Sequence, residues 1–188
     1  MNTLAFFDLE WTAWAGSRER RWRGPGEAME IVQIGAVLIE DTQEMAETGA
    51  LNVIVRPRLN PDLSDYFIDL TGITQQRVDS DGVAFPDALA RLFQFVEGAT
   101  AVYSMGGDEK QLAINCRIHG IDEDFSCIPF ANARHPLNDF LGIADERLES
   151  GRLPAQVGFE MDGNAHDGLD DARMIAEAFR IMRRAGAF

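Results

Sequence analysis

Five polar residues in three distant places could together do chemistry: Asp8 and Glu10 in Phe6-Phe7-Asp8-Leu9-Glu10-Trp11, Asp108 in Gly106-Gly107-Asp108-Glu109-Lys110-Gln111-Leu112, and His166 with Asp171 in His166-Asp167-Gly168-Leu169-Asp170-Asp171-Ala172. The chemistry they suit is metal-assisted phosphodiester hydrolysis. Carboxylates are hard oxygen donors of the kind Mg²⁺ and Mn²⁺ prefer. Two such cations, about 3.5–4 Å apart, can serve both the attacking and the leaving oxygen of an in-line displacement. An imidazole with an ordinary pKa near 6.5 can accept the proton of the attacking water at neutral pH.

The elements around these residues explain how they would meet. Leu4 to Trp11 is an apolar run broken only by the two acids, which predicts a buried strand. Side chains alternate faces along a strand, so Phe6, Asp8 and Glu10 share one side and Ala5, Phe7, Leu9 and Trp11 the other. The two carboxylates then stand roughly 6.6 Å apart along the strand, two rises of about 3.3 Å. Unpaired, they would repel each other and resist desolvation, and a divalent cation resolves both problems. From Leu169 onward, Met174, Ile175, Ala178, Phe179 and Met182 recur at helical spacing, with Asp171 four residues before Ile175 on the same inward stripe. His166 precedes that helix by a short glycine-containing turn. Taken singly, each motif has an ordinary reading: a solvated strand pair, a first-turn acid favoured by the helix dipole, a structural histidine. Their order along the chain is what selects the catalytic reading.

These motifs resemble the DEDD superfamily of 3′-to-5′ exonucleases, in the DEDDh branch whose third motif carries His before the final Asp. Within it the text is most similar to the ERI-type exoribonuclease group that trims small RNAs and histone-message or ribosomal RNA 3′ ends. The segments that carry this are Glu30-Ile31-Val32-Gln33-Ile34-Gly35-Ala36-Val37, Leu70-Thr71-Gly72-Ile73-Thr74-Gln75 and the His166 to Ala172 motif. The resemblance implies that Asp8, Glu10, Asp108 and Asp171 hold two Mg²⁺ ions (Mn²⁺ being an alternative) and that His166 is the general base. It implies a single-stranded RNA or DNA 3′ end as substrate and an RNase H-like fold. Two departures stand out. Trp11-Thr12-Ala13 replaces the Thr-Thr-Gly that many relatives carry after the Glu, and Gly107 replaces an aromatic before the third acid.

A net charge of −14 over 188 residues argues against broad electrostatic adhesion to long nucleic acid. Compensation is expected in the insertion Trp14-Ala15-Gly16-Ser17-Arg18-Glu19-Arg20-Arg21-Trp22-Arg23-Gly24-Pro25-Gly26, where arginines and tryptophans suit phosphate contact and base stacking. Leu9, Trp11, Trp14, Arg21, Trp22 and Arg23 are the candidate substrate contacts. Length and a 46% hydrophobic composition predict one domain over residues 1–188. Strands are expected near 3–11, 30–40, 49–57, 99–104 and 127–131. Helices are expected near 62–80 in short pieces, 86–97, 108–119, 135–146 and 168–185. That order predicts an α/β fold, a mixed five-stranded sheet flanked by helices on both faces. Cys116 and Cys127 read as buried thiols rather than a zinc framework, the first apolar run is no secretory signal, and no run approaches the ~20 residues of a membrane span. A cytoplasmic setting follows as the expectation. The rival readings are a DNA-directed exonuclease, an internally cutting nuclease on the same site, and a catalytically silent nucleic-acid-binding domain.

Overall fold

Apolar alternation and helix caps in the sequence translate directly into elements of a computed structural model, which describes residues 2–122, 124–143, 148, 150–160 and 163–188. Strand β1 (Thr3–Trp11) is buried on both faces for most of its length. It pairs antiparallel with β2 (Ile31–Glu40), and β2 pairs antiparallel with β3 (Glu47–Ile54). On the other side β1 pairs parallel with β4 (Ala101–Ser104), which pairs parallel with β5 (Phe130–Asn132). The sheet order is therefore β3-β2-β1-β4-β5, the expected mixed five-stranded sheet.

Helices cover both faces. Ala5, Phe7 and Leu9 point into a core shared with α3 (Phe85–Val96) and α4 (Asp108–His119). Leu4 and Phe6 point the other way, into a core shared with α5 (Arg134–Leu141) and α6 (Gly168–Arg184). Phe6 meets Phe179 of α6 edge-on at 5.0 Å between centroids. A smaller cluster near the end of β3 seats α1 (Asp65–Thr71) and α2 (Gln75–Asp81) through Phe67, Ile73 and Val78. The two helices are capped by Ser64 and Thr74, whose hydroxyls accept from Phe67 N and Arg77 N.

The departures from expectation are local. Strand β3 begins two residues before 49 and ends three before 57, and β5 begins three residues late, because both lie at the sheet's margins, where burial does not pin the register. Helix α5 ends at Leu141 with Gly142 in a left-handed cap, and residues 144–146 of the expected helix lie outside the described residues. Cys116 is buried as expected, but Cys127 is exposed, since it closes a short 3₁₀ turn (Phe125–Cys127) ahead of β5. No described helix is long and apolar enough to cross a membrane.

Candidate active site

Parallel strands β1 and β4 end at the same edge of the sheet, and that edge is where the acids gather. β1 pairs with β4 from Leu4↔Ala101 to Phe6↔Tyr103, so Asp8 and Glu10 run past the end of that pairing. Ser104 ends β4, Gly106 and Gly107 turn the chain, and Asp108 opens α4 beside them. Gly106 has φ 113°, a backbone region that side chains rarely adopt. Helix α4 is held against the start of β2 by two amides. Gln111 Nε2 and Asn115 Nδ2 donate to Met29 O, while Asn115 Oδ1 accepts from Ile31 N.

The fourth acid arrives through a close approach that only glycine permits. Gly35 is the cross-strand partner of Asp8, and the first turn of α6 lies directly on it. A Cβ at Gly35 would fall 2.1 Å from the backbone of Gly168 and Leu169. Gln33 locks the junction: its Oε1 accepts from Gly168 N at 2.8 Å, and its Nε2 donates to Asp167 Oδ2 and Asn52 Oδ1, both at 3.1 Å. Asp167 caps the helix by accepting from Leu169 N and Asp170 N. Asp171, one turn on, is thereby carried to the strand acids. His166 is exposed and sits at φ 66°, a left-handed backbone that histidine tolerates better than most residues. Ligand atoms of Glu10, His166 and Asp171 all lie within 4.8 Å of one another.

All five expected residues line one cleft of about 660 Å³. Asp8, Glu10, Asp108 and Asp171 are 7%, 9%, 7% and 2% exposed, so four carboxyls share a nearly dry site. Their proton affinities record the conflict. Burial raises Asp8 well above the ordinary range, and Asp108, Asp171 and Glu10 raise it further. Glu10 is raised by burial and then by Asp171 and Asp108. Burial and Glu109 push Asp108 up to about 8, against the pull of Arg134. Asp171 rises to about 6, mainly by burial, despite the hydroxyl of Ser150, which donates to its Oδ2 at 3.0 Å, and the backbone N–H of His166. Asp108 Oδ2 and Asp171 Oδ1 are buried with no hydrogen-bond partner among the described residues. Hard oxygen donors, mutually repelling and with unsatisfied lone pairs, fit divalent cations.

The candidate substrate contacts divide. Leu9, Trp11 and Trp22 line the cleft, Leu9 with its side chain in the core on the far face of β1. Trp22 is fixed there by donating Nε1–H to Thr12 O at 2.8 Å and by packing edge-on against Trp11. Trp14, Arg21 and Arg23 do not line it; Arg21 and Arg23 are exposed elsewhere on the insertion. The loop takes this course because Arg20 is tied to Glu27 and to Ala15 O. Arg18 of the arginine-rich insertion lines the cleft too, and so do residues not foreseen: Tyr66, Arg134, Ser150 and Arg152.

The exonuclease family RNase_T matches residues 5–105. The chain belongs to that family. Mouse 3′-5′ exoribonuclease 1 is 30% identical over 82% of this chain and 47% of its own length. The 3′-5′ exonuclease eri1 of Schizosaccharomyces pombe is 27% identical over 81% of this chain and 60% of its own. The chain thus spans about half the length of the mouse and human 3′-5′ exoribonuclease 1 that it matches. The crystal structure of the nuclease domain of 3′hExo, a DEDDh family member bound to rAMP, superposes with a TM-score of 0.84 at 25% identity, over 99% of this chain and 94% of that one. Exonuclease I superposes with a TM-score of 0.73 at 15% identity, over 98% of this chain and 41% of that one. The family's fold is RNase H-like, and the sheet described above is that fold.

Proposed function

We propose that this chain is a metal-dependent 3′-to-5′ exonuclease that shortens single-stranded RNA stepwise to nucleoside 5′-monophosphates, acting more weakly on DNA. The observation that carries the reading is the meeting of four buried carboxyls and one exposed imidazole in a single cleft, two of the carboxyls with an oxygen that finds no partner among the described residues. The RNA preference is supported by the exoribonuclease relatives and by the neighbour bound to rAMP. The four carboxyls divide the work. Asp8, Glu10, Asp108 and Asp171 would hold two Mg²⁺ or Mn²⁺ ions, which when bound supply charge to the phosphate oxygens and acidify the attacking water. His166, exposed at the cleft mouth, accepts that water's proton as general base.

Ser150 holds Asp171 in place through Oδ2 and leaves Oδ1 free for the ligand role. Trp11 and Trp22 present aromatic surface on which an unpaired base can stack, whereas a duplex end would first have to be unstacked at a cost of a few kcal/mol. We read residues 1–188 as one exonuclease domain, since all its core clusters pack on one sheet. Cys116 and Cys127, neither of them in a disulfide, suit a reducing cytoplasm. Digestion of end-labelled RNA and DNA of matched sequence in Mg²⁺ tests the reading. A ladder shrinking from the 3′ end with 5′-monophosphate products supports it, and internal fragments appearing first refute it.

A further inference from the structure

A cleft lined by four acids must still attract a polyanion, and three arginines line it: Arg18, Arg134 and Arg152. Arg18 and Arg152 are each engaged in an interaction of their own. Arg134 is placed differently. It opens α5 immediately after β5, with its backbone N–H donated to Asn132 Oδ1. Its guanidinium carbon lies 3.2 Å from where a Cβ at Gly106 would sit, so the glycine turn that leads to Asp108 also makes its seat.

Among the described residues, Arg134 Nε is buried without a hydrogen-bond partner, and so is Asp108 Oδ2 in the same cleft. Arg134 attracts Asp108 electrostatically but makes no hydrogen bond to it among the described residues, so each keeps an atom for another partner. A planar guanidinium fork matches phosphate oxygens two at a time. A phosphate lying between Arg134 and a cation held at Asp108 would satisfy both. The alternative, that Arg134 only tempers the acids, leaves its buried Nε–H unexplained.

Resting on the nuclease reading above, we infer that Arg134 is a phosphate-binding residue of this cleft, gripping the substrate strand on the Asp108 side. It sets affinity for the strand and carries no proton in the reaction. The test measures binding of a fluorescent single-stranded RNA with a free 3′ end, over a range of salt, in the Asp8→Asn background, with and without Arg134→Met and Arg134→Lys. Arg134→Met weakens binding about tenfold or more and lowers the salt slope by about one. Arg134→Lys keeps the slope but loses part of the affinity, because a point charge lacks the fork. In otherwise wild-type protein, KM for RNA rises in step while kcat and its pH profile change little. Unchanged affinity and slope in the Met variant overturn the inference, as does a fall in kcat at constant KM. If the Met variant melts early, Arg134→Lys decides: full wild-type affinity there overturns the bidentate grip. The binding arm needs no turnover, so a wild-type chain that binds RNA without shortening it counts against the nuclease reading alone.

Discussion

Replacing Asp171 by asparagine should make the metal-free protein more stable and remove most of the further stabilisation that added Mg²⁺ gives the wild type. Asp171 is 2% exposed, and its carboxyl is pushed up to about 6 from an ordinary value near 3.8. About two pKa units at about 1.36 kcal/mol each make its ionisation at neutral pH cost about 3 kcal/mol of folding free energy. The amide of asparagine keeps an acceptor for Ser150 and removes the charge. For a chain of this size 1 kcal/mol moves Tm by about 2–4 °C, so the gain has a ceiling of about 6–12 °C. The sign follows from proton linkage. The native state holds its protons more tightly than the unfolded chain, so the stability contribution is full below about pH 4 and is lost as pH rises through about 6 at Asp171 and about 8 at Asp108. Cations compensate the wild type by about 2.7 kcal/mol at a hundredfold excess over Kd, and the variant forgoes most of this. The assay is thermal unfolding by circular dichroism after EDTA treatment, at acid and neutral pH, with and without Mg²⁺. A variant that melts below wild type in EDTA at neutral pH, or that gains as much from Mg²⁺, would refute the reasoning.

Two further outcomes follow from the same geometry. His166→Ala should lose about 10²- to 10⁴-fold in kcat, the usual worth of a general base. Its Mg²⁺-dependent rise in Tm should stay near that of wild type, because carboxylates hold the ions; a lost Tm response would instead make the imidazole a ligand. Gly35→Ala should cost about 1–3 kcal/mol of stability and most of the activity, since the added methyl meets the α6 backbone at 2.1 Å and pushes Asp171 off the strand acids. Wild-type melting and turnover in that variant would contradict the close approach.

What could be read from the sequence was whatever local periodicity encodes. Asp8 and Glu10 announce themselves as acids on one face of an otherwise apolar strand, and Asp171 as an acid on the buried stripe of an amphipathic helix. The limits of β1 were legible because the whole run is apolar, and those of α4 because Gly-Gly precedes Asp108 and Gly120 caps the end. Arg134 and Ser150 carry no such signal. They lie at a helix start and in a short 3₁₀ turn (Ser150–Arg152), and only tertiary packing brings them to the cleft. Trp14, Arg21 and Arg23 were expected beside the substrate from the make-up of the insertion, but they do not line the cleft; the insertion is held by Arg20 on Glu27 and by Trp22 on Thr12 O, contacts that no spacing rule foretells. Gln33 and Gly35 stood in the motif that suggested the family. Their physical reason, locking the start of α6 against Asp8, needed the structure.

The central claim is a free 3′ end attacked in a cleft that needs divalent cations. The most direct measurement follows matched single-stranded RNAs, one with a 3′ hydroxyl and one with a 3′ phosphate, incubated with wild type and Asp8→Asn in Mg²⁺ and in EDTA. Wild type should release nucleoside 5′-monophosphates one at a time from the hydroxyl-ended strand only. A terminal phosphate would set about two more negative charges beside four carboxyls. Asp8→Asn and EDTA should each stop the release. Equal cutting of the 3′-phosphorylated strand, internal fragments ahead of mononucleotides, or undiminished turnover in EDTA would contradict the account.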